Sequence, residues 1–190
     1  MAAPLKDGTD DGVLWNQANL LEAFERLYES YEPLVERWVR RLGGPSVDVE
    51  DLVHDVFVVA VRRRHEFRGE AKLSTWLFRI AENVVRKRRA RDRLVGFFYR
   101  RYRDDRATLQ PASPTPLEEL ERRQQHARLY AALDRLPEKY RTVLILYDID
   151  GRSAEEVAAL LGLRANAVWV RVHRGRALLL EQLASHRREP

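Results

Sequence analysis

Apolar residues return every three or four positions along almost the whole chain. Leu20, Phe24, Leu27, Tyr31, Leu34, Trp38 and Leu42 form the first such series, the spacing of a helix with one buried stripe. Pro33 lies inside it and predicts a kink or two abutting helices, because proline removes a backbone donor and crowds the preceding turn. Gly43-Gly44-Pro45 ends the series. Asp48 is then placed to cap a second helix, with Asp51 at the third helical position as a near-capping box. Leu52, Val56, Val59 and Ala60 supply that helix's buried stripe. Gly69 breaks the pattern, and Ser74 or Thr75 is predicted to cap the next helix, which runs through Val85 into an arginine-rich segment.

Between Gln110 and Pro116 three of the eight prolines fall within six positions, a composition that excludes a helix and marks a linker. Helical period resumes from Leu117 to Leu136. Pro137 suits the first position of a further helix to Asp148, which ends at the turn Asp150-Gly151. Ser153 and Glu156 form a capping box. Val157, Leu160 and Leu161 give an apolar face, and Gly162 is predicted as a left-handed terminal residue before a last helix that starts near Ala165. Two helices joined by a short turn containing glycine, the second rich in arginine, follow the helix-turn-helix plan, which helical hairpins without any DNA contact share. The expected fold is all-α: two small helical domains, 19–95 and 117–186, joined by a flexible Pro-rich linker, 96–116, with tails at 1–18 and 187–190, the C-terminal domain containing a helix-turn-helix.

Charge changes this picture locally. The net charge is only +5, with 33% of residues charged, but Arg86 to Arg106 holds ten basic residues against three acids. Such a block attracts polyanions, or is a solvated helix face continued by a disordered arm. There is no cysteine, which excludes a disulfide framework and any thiolate metal or redox site. The first residues carry Asp7, Asp10 and Asp11 and no apolar core of a signal peptide, and no apolar run has the length of a membrane span. The expectation is a cytoplasmic, soluble protein without membrane contact of its own. Neither a glycine-rich phosphate loop nor a serine- or cysteine-centred nucleophile motif is present, so no catalytic residue, enzyme activity or cofactor is expected.

Three clusters carry candidate chemistry. Asp51, His54 and Asp55 share one helix face. They suit a metal site poorly, since a single helix supplies all three ligands, and otherwise form a solvated acidic face or a protein-docking surface. A nuclease built on a metal at these residues is the competing enzyme reading, and chelator-sensitive cleavage would be its mark. Trp76, Arg79, Asn83 and Lys87 recur at helical spacing opposite Leu77, Ile80 and Val84. A tryptophan there either belongs to the core or stacks on an unpaired base, with asparagine on a base edge and the cations on phosphates. In the last helix Val168, Val172 and Leu179 face inward, leaving Asn166, Trp169, Val170, His173 and Arg174 outward with Arg164 at the entry. Arg174 suits guanine, Asn166 adenine and Val170 a thymine methyl. His173 suits a phosphate, as does Arg141 from the preceding helix, and Trp169 alternatively packs on another protein.

These blocks, in this order, resemble the extracytoplasmic-function (ECF) sigma factors of bacterial RNA polymerase. The likeness is carried by Asp51-Leu52-Val53-His54-Asp55-Val56-Phe57, Phe67-Arg68-Gly69, Leu73 to Asn83, Leu133 to Pro137, Asp150 to Ala158 and His173 to Ala177, and spans about Leu20 to Leu183. It implies a first domain that binds the polymerase clamp and the −10 promoter element, and a second that binds the β flap and the −35 element. Asp51, Leu52, Asp55 and Val56 would then dock on the clamp. Gly69, Glu70, Ala71 and Lys72 would shape a pocket for an extruded −10 base beside Trp76, Arg79, Asn83, Arg86 and Lys87. Arg141, Arg164, Asn166, Trp169, Val170, His173 and Arg174 would meet the −35 duplex. Trp169 and Val170 depart from the cation and small polar residue common there, which leaves the −35 sequence open. The resemblance also implies an anti-sigma partner. The segment Leu94-Val95-Gly96-Phe97-Phe98-Tyr99 is expected to pack on the first domain, to thread the polymerase channel or to lie under that partner. The alternative reading is a stand-alone helix-turn-helix regulator, which leaves the acidic helix and the Trp76 face unexplained.

Overall fold

The Asp48 carboxylate accepts the Asp51 amide at 3.1 Å and so starts a helix where the sequence places one. In this computed structural model, residues 20–100 and 116–186 are described. Among them seven α-helices and no strand occur: α1 (Leu20–Gly43), α2 (Val49–Arg62), α3 (Leu73–Arg100), α4 (Pro116–Leu133), α5 (Glu138–Leu144), α6 (Ala154–Leu161) and α7 (Ala165–His186). Pro33 does not divide α1, which is one element with the proline inside it. Helix α3 begins at Leu73 without a Ser74 or Thr75 cap. The Lys72 carbonyl takes the amides of Thr75 and Trp76 instead, at 3.0 and 3.2 Å. It continues to Arg100, so the helix includes the backbone of Leu94 to Tyr99. Leu94 is exposed, and the side chains from 95 to 100 and the prolines before Pro116 lie outside the described residues.

Helices α1, α2 and α3 bury their stripes against one another. Val35, Leu52, Val56, Phe57, Leu77 and Phe78 are closed to solvent, and the Trp38 and Phe78 rings meet edge to face at 5.3 Å. Each large apolar side chain so buried contributes about 1.5–3 kcal/mol. In the second domain the capping box forms in full. Ser153 Oγ accepts the Glu156 amide at 3.2 Å and Glu156 Oε2 accepts the Ser153 amide at 2.8 Å. Gly162 ends α6 at φ 60°, ψ 40°, the left-handed conformation predicted for it. Gly175 is buried on α7 where an added Cβ would stand 3.1 Å from Leu144, so its lack of a side chain sets how closely α7 approaches α5.

Two local expectations fail here. Pro137 is the N-cap of α5 rather than its first helical residue, since its ψ of 137° is extended. The helix expected to reach Asp148 stops at Leu144 and widens into a π turn, Ile145–Ile149, closed by the Asp150 amide on the Ile145 carbonyl at 2.8 Å. That widening turns the Asp150 carboxylate inward, where it is only 1% exposed and meets Arg152 and Arg37, each at 2.7 Å.

Arg37 belongs to α1, so Asp150 joins the two domains, and it is one of several such contacts. The Tyr130 hydroxyl donates to the Arg41 carbonyl at 2.8 Å, and Thr142 donates to Glu82 at 3.0 Å. Arg89, 4% exposed, reaches from α3 to Asp134 at 2.7 Å and Glu138 at 3.0 Å. The two domains therefore pack on each other in a closed arrangement with a continuous apolar core. Gly44 and Gly151 allow a test of how Tyr130 is seated. Both have positive φ, at 79° and 69°, but a Cβ on Gly44 would stand 2.3 Å from the Tyr130 ring whereas Gly151 has open space around it. Alanine at either position carries backbone strain of about 1–2 kcal/mol. Gly44→Ala is expected to cost a further ~1–3 kcal/mol by overpacking, and so to lower the melting temperature well below that of Gly151→Ala in parallel calorimetric scans.

Candidate nucleic-acid and protein interfaces

The predicted docking helix α2 has one face inside and one outside. Leu52 and Val56 are wholly buried. Facing the core against α1 and α3, they hold the helix in place and offer no surface to a partner, contrary to the expectation that they pack on the clamp. Asp51 and Asp55 are exposed. Asp51 is already paired with Arg88 of α3, and Asp55 lies in a groove between α2 and α3 with Arg63, Asn83, Lys87, Arg88 and Arg91. The groove has an acidic end on α2 and a cationic wall on α3. Arg63, Arg88 and Arg91 line this groove although the sequence did not single them out. They sit in a charge run, and only the packing of α3 on α2 separates the members facing the groove from those facing bulk solvent.

The loop Gly69, Glu70, Ala71 and Lys72 is exposed, with Gly69 at φ 73° and nothing within reach of its Cβ position. Trp76 lies in the first turn of α3, close after this loop. It is half-buried, packed against the core, with its ring 5.5 Å from that of Phe67 in an edge-to-face contact. Trp76 therefore contributes to the core while part of its surface stays exposed. Further along, Asn83 accepts a hydrogen bond from Arg86, while Arg86 and Lys87 are exposed.

Arg79 is committed elsewhere. Its Nε donates to the Leu160 carbonyl at 3.2 Å, at the C-terminal end of α6. That end presents unpaired carbonyls and the negative pole of the helix dipole, where a cation contributes about 0.3–1 kcal/mol. A Cβ on Gly162 would stand 2.8 Å from Arg79 Nη2, so the glycine that ends α6 also clears room for this arginine.

Arg141 is the clearest correction among the predicted DNA contacts. It is 0% exposed, held by Asp134 at 3.0 Å, and cannot reach a phosphate in this arrangement. Burial, and next the neighbouring Arg89, lower its pKa from the usual arginine value to about 10. Two of its nitrogens, Nη1 and Nη2, lack a hydrogen-bond partner. The sequence offered Arg141 as a phosphate contact from the helix before the last, but it lies buried beside Asp134, Glu138 and Arg89 of α3.

The remaining predicted residues of the last helix come together. Arg164, just before α7, and Asn166, Trp169, Val170, His173 and Arg174 on its first three turns are all exposed, while Val168 and Val172 are buried. Lys139 and Tyr140 of α5 join Arg164, Asn166, Val170 and Arg174 along one groove. The cations along that groove suit a polyanion.

The chain matches the family models Sigma-70 region 2 over residues 27–95 and Sigma-70, region 4 over residues 126–179. It is 31% identical to an ECF RNA polymerase sigma factor, SigE, of Mycolicibacterium smegmatis across 89% of this chain, and spans 65% of that protein. It is 32% identical to the RNA polymerase sigma factor NccH of Alcaligenes xylosoxydans xylosoxydans, covering 86% of this chain and 88% of that one. Among solved structures it is similar to CnrH in complex with the cytosolic domain of CnrY, at 28% identity and a TM-score of 0.59, covering 95% of this chain and 99% of that one.

Proposed function

Because the chain belongs to the extracytoplasmic-function sigma factors of bacterial RNA polymerase, we propose that it binds core polymerase, recognises the −35 element as duplex and the −10 element, and promotes promoter melting. It acts in the cytoplasm as a specificity subunit with no chemistry of its own. The observation that carries this reading is the exposed first half of α7, where Arg164, Asn166, Trp169, Val170, His173 and Arg174 stand beside a cationic groove. Asp51 and Asp55 on α2 are the groups left for polymerase. The loop 69–72 with Trp76, Asn83, Arg86 and Lys87 is the surface for single-stranded −10 DNA.

The closed arrangement is the resting form in this reading. Promoter elements named −35 and −10 lie about 25 base pairs apart, roughly 85 Å along a duplex. Arg79, assigned to the −10 element, touches α6 of the −35 domain, so both elements cannot be held until the domains part. The chain from Arg100 to Pro116 reaches at most roughly 55 Å when fully extended, and the lengths of α3 and α4 add to that reach. A partner that holds the domains together would act as an anti-sigma factor, a role in keeping with the similarity to CnrH bound by CnrY. Run-off transcription with core polymerase on genomic fragments tests the proposal. Discrete start sites that depend on the chain are expected, and their absence on every fragment overturns it. Duplex binding by the chain alone, with no co-purifying polymerase, would instead favour a stand-alone regulator.

A further inference from the structure

Trp169 and Val170 stand side by side on α7, 50% and 44% exposed. Neither belongs to the buried stripe of the helix, which Val168 and Val172 supply. Each leaves about half of its apolar surface in water. The tryptophan is nevertheless braced. Its ring lies 5.2 Å from that of Tyr147 in an edge-to-face contact. Tyr147 belongs to the π turn and has the Arg176 guanidinium 5.9 Å from its ring centre. Arg176 is tied in turn to Asp148 at 2.5 Å. One side of the indole is therefore supported and the rest is left open beside Val170.

The surroundings indicate the occupant. The groove under Val170 is lined by Lys139, Arg164, Arg171 and Arg174, four cations, and by no acid. That charge suits a polyanion and disfavours a neutral or basic protein surface. On the floor of the DNA major groove the one apolar group is the thymine C5-methyl. We propose that Trp169 and Val170 read thymine methyl groups, so that the −35 element of this sigma factor is defined in part by thymines at the positions under these two residues. The proposal rests on the reading of α7 as the −35 recognition helix.

Holoenzyme assembled from core polymerase and the full chain is used to select −35 sequences from two duplex pools. One pool is built with thymidine in the randomised stretch and the other with deoxyuridine, which differs only by the missing methyl. Thymine is expected to be enriched at one or two positions in the first pool, and the corresponding preference to vanish in the second. Replacing one such thymine in a selected duplex should weaken binding about fourfold, the equivalent of ~0.8 kcal/mol for one buried methyl-sized group. Trp169→Ala should bind the two versions of a duplex more nearly alike, whereas Arg174→Ala should weaken both by the same factor. A defined −35 sequence that wild-type holoenzyme binds equally with thymine or uracil overturns the inference and leaves the −35 reading standing. Selection of no sequence at all overturns that reading and the inference with it.

Discussion

Arg89→Glu is expected to part the two domains while leaving each folded. Arg89 is nearly buried between Asp134 and Glu138 of the second domain, so the substitution places a third carboxylate where the two now share a cation. Removing one partner from a buried ion pair costs about 3–5 kcal/mol, a shift of roughly 10²–10⁴-fold in the ratio of closed to open forms. Arg89 is not one of the apolar side chains that make up the core, so the substitution leaves the packing within each helical set in place. Because the chain has no cysteine, dyes on cysteines introduced at the exposed positions Glu29 and Glu181 report the separation directly. Energy transfer should fall in Arg89→Glu with helicity unchanged, and the swap Arg89→Glu with Glu138→Arg should restore part of it. Unchanged transfer in the single variant would mean that the apolar contacts, not the ion pairs, hold the closed form.

The same contact explains which parts of the molecule the sequence revealed and which it hid. Capping and glycine signals act within a few residues, so Asp48, Ser153 with Glu156, and Gly162 were legible, as were the buried stripes and the outward arc of α7. Leu52 and Val56 belong to such a stripe too, and the helical period alone placed them inside. Their assignment to a docking surface came from the resemblance and gave way to packing. Arg141 and Arg89 were not legible. Arg89 lies in a cationic run where any member suits solvent equally well, Arg141 is a single cation on a short helix, and both are buried only where Asp134 and Glu138 of the second domain meet α3. The π turn at Ile145–Ile149 left no mark either, because one extra residue in an apolar run does not disturb its composition. What the sequence withheld is thus what depends on contacts between residues far apart in the chain.

Trp76→Ala is expected to reduce the capture of single-stranded −10 DNA by about 10–100-fold, from the ~1–3 kcal/mol that stacking one base on an aromatic ring contributes. The contact of Trp76 with Phe67 at 5.5 Å complicates the substitution, since alanine also removes packing and loosens the loop 69–72 that α3 follows. Trp76→Phe separates the two effects. It keeps an aromatic ring against Phe67 and a smaller stacking face, and should retain most of the melting temperature and part of the DNA binding. The readout is open-complex formation by holoenzyme on a duplex promoter beside one with a pre-melted −10 element. If Trp76 captures an extruded base, both templates lose affinity in Trp76→Ala while binding to an isolated −35 duplex is unchanged, because α7 lies on the other domain. Equal losses on the −35 duplex would trace the defect to unfolding. No loss on the pre-melted template would show that Trp76 serves only the core.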